Sequence, residues 1–117
     1  MESKQESKYE VIITDPAEIS FYEILDYLYD NYELSRAEEI ANEIRDTAKS
    51  LAYQAKRGAP EPRLLHRKTE YRFILYERTP RAEVKVIYFI EEESGVVFIT
   101  DFFPTEKDSA EISARNR

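Results

Sequence analysis

The chain has 117 residues, enough for one domain and too few for two. It contains no cysteine, which excludes disulfides, thiolate nucleophiles and thiolate-bound metals and fits a reducing cytoplasm. Its net charge of −7 excludes strong non-specific binding to nucleic acid, because phosphate affinity comes from Lys and Arg displacing counterions.

The polar start (MESKQESK) lacks the apolar stretch of a signal peptide, and residues 1–8 read as a disordered lead-in. Tyr9 to Thr14 is short and β-rich, so it predicts a strand. Asp15-Pro16-Ala17-Glu18 reads as a helix start, with Asp15 as cap and Pro16 in the first turn. The helix then runs to about Tyr32. Its apolar residues (among them Ile19, Phe21, Tyr22, Ile24, Leu28 and Tyr29) are too many for one stripe. They predict contact with both a sheet and a second helix.

Ser35-Arg36-Ala37-Glu38 reads as a second capping box. After it, Ala37, Ile40, Ala41, Ile44, Ala48, Leu51, Ala52 and Ala55 recur at i, i+3, i+4, i+7 spacing. Small side chains let helix axes approach closely, which predicts an αα-hairpin. Gly58 is placed to end this helix, and Pro60 and Pro62 prevent its return.

Three strand-like runs follow: Tyr71 to Arg78, Val84 to Ile90 and Val96 to Phe103. Thr79-Pro80-Arg81 and Ser94-Gly95 separate them, and such short links predict an antiparallel meander. The expected fold is α+β: a β-α-α-β-β-β two-layer sandwich with the helix hairpin on a mainly antiparallel sheet. Residues 9–112 form the domain and residues 113–117 a polar tail. No apolar run approaches the ~20 residues of a membrane span.

This element order resembles the RelE/ParE toxin superfamily of bacterial toxin–antitoxin pairs. Glu70-Tyr71-Arg72-Phe73-Ile74-Leu75 is similar to that family's Tyr-Arg-hydrophobic strand. Val84 to Glu91 resembles its Tyr-Arg-Ile-Ile-Tyr-x-Ile-Glu/Asp pattern. Val97 to Asp108 looks like a sub-group ending in Phe-Asp-Thr-Arg-Gln-Asn-Pro. The chain departs from these patterns at Val84-Lys85, Pro104 and Glu106. The resemblance implies a cytoplasmic toxin, a cognate antitoxin partner, no cofactor, and either a hetero-oligomer or a homodimer. It also implies one of two activities: ParE-like binding of DNA gyrase, or RelE-like cleavage of messenger RNA on the ribosome. A non-toxic binding domain of the same fold is the third reading.

Residues 56–85 carry 9 basic and 4 acidic groups, the one basic stretch of the chain. From it come the candidate binding residues Arg63, His66, Arg67, Lys68, Arg72 and Lys85. If Arg72 and Lys85 stand on the sheet face away from the helices, they form an anion site for a phosphate or a carboxylate. For ribonuclease action the candidates are Arg72, Lys85 and Lys107 for charge, with Tyr88 or His66 assisting. The competing reading is ordinary surface charge. His66 is the lone histidine, and with no cysteine it makes no metal site. The nine tyrosines suit base stacking or a protein interface, and equally suit half-buried sheet faces. With two glycines in all, there is no nucleotide-cradling loop.

Overall fold

The computed structural model describes residues 8–77 and 83–116. The elements are β1 (Glu10–Ile13), α1 (Asp15–Asn31), α2 (Leu34–Lys49), β2 (Ala59–Pro60), β3 (Arg72–Glu77), β4 (Glu83–Glu91), β5 (Val96–Pro104) and α3 (Glu111–Arg115). One five-stranded sheet has the order β1-β5-β4-β3-β2. β1 runs parallel to β5, and the other pairs are antiparallel. The expected β-α-α-β-β-β sandwich is present, with β2 and α3 added. The turn expected at Thr79-Pro80-Arg81 lies outside the described residues, as do residues 1–7 of the expected lead-in.

The local signals were displaced in four places. The cap of α1 is Thr14, not Asp15: its hydroxyl accepts from Ala17 N and donates to Ile99 O at 2.8 Å, so one side chain starts the helix and ties it to β5. The cap of α2 is Glu33, which makes no side-chain cap bond, and Ser35 lies inside the helix. Only Tyr32 and Glu33 connect the two helices, both extended, so α2 begins before the box.

α2 stops at Lys49, although Leu51 and Ala55 stay buried as their spacing requires. Two 3₁₀ turns, Ser50–Ala52 and Ala55–Arg57, carry them inward, with Gln54 left-handed at φ 53°. The Arg57 guanidinium donates to Tyr53 O at 2.9 Å and to Ser50 Oγ at 2.6 Å, tying the two 3₁₀ turns together. Gly58 ends the second 3₁₀ turn in an extended conformation, at φ −72°, rather than ending α2 itself. A Cβ there would lie 2.7 Å from Phe73 O and against the Tyr88 hydroxyl, so close approach is what requires glycine.

β2 falls where the sequence showed only Pro60 and Pro62 as stops to the helix. It is an outer edge strand, where a missing N–H does no harm. Gly95 does turn the chain between β4 and β5, at φ 69°.

Strand alternation divides the core between two faces. Val84, Val86, Tyr88, Val97, Ile99 and Phe102 meet Phe21, Ile24, Leu28, Ile40 and Ile44 of the hairpin. Ile87 and Phe103 point the other way, to Leu64 and Ile112. The face expected to be uncovered is thus roofed in part by the 61–70 segment and α3. Beyond that roof, Ile12, Phe98 and Phe89 stand in register across β1, β5 and β4, with Phe89 and Phe98 stacked at 5.2 Å and Tyr71, just before β3, edge-on to Phe89 at 5.6 Å.

A bulge on β5 resets the alternation: Ile87 faces Asp101, but Tyr88 faces Ile99. Past Ile99, β5 has outrun β1 and its edge is closed by the C-terminal segment. Arg115 donates to Asp101 Oδ1 at 2.8 Å, to Asp101 Oδ2 at 3.0 Å and to Ser20 Oγ at 3.1 Å. Asn116 Nδ2 donates to Asp101 Oδ2 at 3.0 Å. Residues 113–116 of the stretch read as a polar tail are therefore built in, with Asn116 buried.

Candidate functional site

The basic candidates fall on different surfaces. In the β3–β4 register Arg72 pairs with Tyr88, and Leu75 with Lys85. Arg72 therefore shares the helix-side face with Ile74 and Tyr76, while Lys85 shares the far face with Phe73. The expected pairing of Arg72 and Lys85 on one face does not occur, because their positions differ in strand parity.

Arg63, Arg67, Arg72 and Lys85 are each held locally. Arg72 donates to Gly58 O at 2.8 Å and to Lys56 O at 3.2 Å. Lys85 Nζ lies 2.8 Å from Glu61 Oε1 and 4.3 Å above the Phe73 ring. Glu61 is fully buried, and its other oxygen accepts from Arg63 N at 2.9 Å. The Arg63 side chain donates to Ser109 Oγ at 3.0–3.1 Å. Arg67 donates to Ser113 O at 2.8 Å, to Asn116 O and to His66 Nε2 at 3.3 Å. Arg63 and Arg67 thus pin the roof of the far face. His66 and Lys68 are exposed.

Tyr88 is fully buried. Its hydroxyl donates to Ala55 O at 2.6 Å and accepts from Gly58 N at 3.0 Å. Burial raises its pKa above the ordinary 10.0, outweighing the bond from Gly58 N and the nearby Arg72 charge. Lys107 is exposed at the helix-side rim, away from Lys85. The four residues read as a nuclease set do not converge on one point.

Tyr88 has a structural use that can be measured. Tyr88→Phe leaves Ala55 O and Gly58 N without their partner, and should destabilise the fold by roughly 1–3 kcal/mol. The raised pKa carries a sign. Up to pH 10.0, the ordinary tyrosine value, folded and unfolded chains both keep the phenol proton and the contribution is fully present. As pH rises further the unfolded chain ionises first, and the contribution is lost as pH passes through the folded value. Urea midpoints at about pH 8 and about pH 11 should converge between parent and Tyr88→Phe as this part of the slope disappears.

The concave surface lies elsewhere, between the hairpin and the β4–β5 end of the sheet. It is a groove of about 560 Å³. Ile24, Leu28, Ile40, Ile44 and Val84 form its floor, and Tyr27, Tyr32 and Tyr76 its walls. Glu23, Glu83 and Glu106 stand on the rim with Lys107. Tyr76 is braced by a 2.6 Å bond to Glu43 on α2. Such a surface suits apolar side chains accompanied by positive charge. Its residues are scattered over α1, α2, β4 and the exit of β5, so no sequence motif marks it. Asp101 is different: a carboxylate inside the apolar run Val96 to Phe103 demands a partner, which the sequence could have signalled.

Among the described residues, no cluster of three His, Cys, Asp or Glu side chains is arranged to hold a metal ion. Nor, among the described residues, is any helix long and apolar enough to cross a membrane.

A helix hairpin on one face of this sheet, with a groove at its open end, is the RelE/ParE toxin fold. Solved structures share it at low identity. A chain of the chromosomal ParDE toxin–antitoxin system of P. aeruginosa superposes with a TM-score of 0.65 at 17% identity, covering 84% of this chain and 97% of the other. A chain of the RelBE2 toxin–antitoxin complex of Mycobacterium tuberculosis gives 0.55 at 17% identity, covering 87% and 97%. A mutant of the E. coli toxin RelE in the free state gives 0.51 at 13% identity, covering 93% and 94%. No curated protein matches by sequence. The family model for the ParE toxin of the type II toxin–antitoxin system, parDE, matches residues 11–109. The chain belongs to that family.

Proposed function

We propose that this ParE-type toxin acts by binding a gyrase-type target rather than by cutting RNA, and that a cognate antitoxin segment neutralises it by lying in the hairpin–sheet groove. The observation that carries the groove assignment is its make-up. An apolar floor walled by tyrosines accepts buried anchors, and three rim carboxylates against Lys107 select an anchor segment with Lys or Arg at its edges. The binding mode of action is supported by the scattered cations. Arg72 and Lys85 stand on opposite faces and are held by Gly58 and Glu61, an arrangement ill suited to one scissile phosphate.

Induced expression should arrest growth, and the purified toxin should inhibit supercoiling by purified gyrase. Primer extension on translated messenger RNA should show no toxin-dependent cut. Arrest with ribosome-dependent cuts would move the activity to RNA. Absence of both arrest and gyrase inhibition would remove the target claim. The groove has its own test: Tyr27→Lys places a cation on the wall and should weaken antitoxin binding at least tenfold while growth arrest persists, ~1.4 kcal/mol per decade.

A further inference from the structure

α1 carries two apolar stripes where a helix of a two-layer domain needs one. The first, Ala17, Phe21, Ile24 and Leu28, is buried in the core. The second is Ile19, Tyr22 and Tyr29, joined by Asp26 at i, i+3, i+7, i+10 spacing. Ile19 is 61% exposed and Tyr22 53%, while Tyr29, 44% exposed, borders a shallow cleft with Ala41 and Arg45 of α2. As the sequence predicted, α1 touches both the sheet and α2, yet these residues of its outer side stay largely exposed. Single exposed apolar residues are ordinary, but Ile19 and Tyr22 one turn apart, with Tyr29 further along the same side of the helix, mark a contact surface.

Charge decides what fits there. α1 contains Asp15, Glu18, Glu23, Asp26 and Asp30 and has no Lys or Arg. We propose that the outer face of α1 is a second protein-docking surface, whose occupant is a partner protein presenting Lys and Arg around an apolar socket. The carboxylates repel nucleic acid and anionic lipid alike. A second copy of this chain is poorly matched, since the copy also carries −7 and keeps Arg63, Arg67, Arg72 and Lys85 on internal contacts. The surface is separate from the groove: Tyr27, on the groove wall, lies ~140° around the helix from Tyr22. Both surfaces can therefore be occupied together, one by the antitoxin and one by the basic partner.

The test places a photoreactive benzoyl-phenylalanine at position 22 or 29 of the full chain and cross-links it in growing bacteria. The expected result is one dominant protein adduct whose cross-linked peptide is rich in Lys and Arg. Asp26→Lys should lower the adduct yield several-fold and Asp26→Glu should preserve it. Raising salt from about 50 to about 300 mM in extracts should lower it as well. Ile19→Ser with Tyr29→Ser should abolish the adduct while antitoxin affinity stays within twofold, which shows that the fold and the groove are intact. Adducts confined to the antitoxin, to a second copy or to nucleic acid would overturn the proposal, as would no adduct or one indifferent to Asp26→Lys. A groove failure would appear separately, as lost sensitivity of antitoxin binding to Tyr27→Lys.

Discussion

Asp101→Ala is expected to destabilise the protein by about 3–5 kcal/mol, a large part of a small domain's stability. Asp101 is 1% exposed, and its two oxygens receive four side-chain bonds, from Ser20, from Arg115 twice and from Asn116. Removing it leaves the Arg115 guanidinium against Phe103, 5.0 Å from the ring centroid, without the carboxylate it bonds. The network spans three elements, so the loss also frees α3 from β5 and α1. The urea midpoint should fall by roughly 2–3 M at an m-value near 1.5 kcal/mol/M. Amide exchange should rise first in residues 111–116. Arg115→Met in the Asp101→Ala background should recover part of the loss, because the cation left without that carboxylate then disappears. A drop below about 1 kcal/mol would mean that water enters this corner and replaces the network.

Lys85→Ala should destabilise to a similar extent, about 3–5 kcal/mol, for a related reason. The Lys85 ammonium is the cation facing Glu61, which is fully buried and otherwise receives the Arg63 backbone N–H. Truncation leaves a carboxylate in an apolar shell of Phe73 and its neighbours. The double variant Lys85→Met with Glu61→Leu removes both charges at similar volume and should fall within ~1 kcal/mol of the parent. That pair of results bears on activity. If the double variant is folded and still arrests growth, Lys85 is a structural cation. If it folds but no longer acts, while Lys85→Ala is as stable as the parent, Lys85 serves a ligand instead.

The fold was readable where the pattern is local and repeated. The Ala-rich stripe from Ala37 to Ala55 announced a close-packed hairpin, and the alternating runs after Tyr71 announced the meander. Helix ends were read less well, because several residues near each end can cap. Thr14 prevailed over Asp15 because its hydroxyl also reaches Ile99 O on β5, a partner 85 positions away. β2 was hidden as well: Pro60 read only as a stop to the helix, and an edge position cannot be told from a central one before the strand order is known.

The candidate site was the least legible part. Basic residues clustered between 56 and 85 looked like one surface, but pleating sends Arg72 and Lys85 to opposite faces and the roof segments claim Arg63 and Arg67. Composition and periodicity were sufficient for the helix pair and the four longer strands, because those depend on spacing within one segment. The hairpin–sheet groove, the burial of Glu61 and Asp101 and the docking of Arg115 were decided by packing. Each depends on groups that meet only after distant strands and helices close on one another, and spacing along the chain does not encode such meetings.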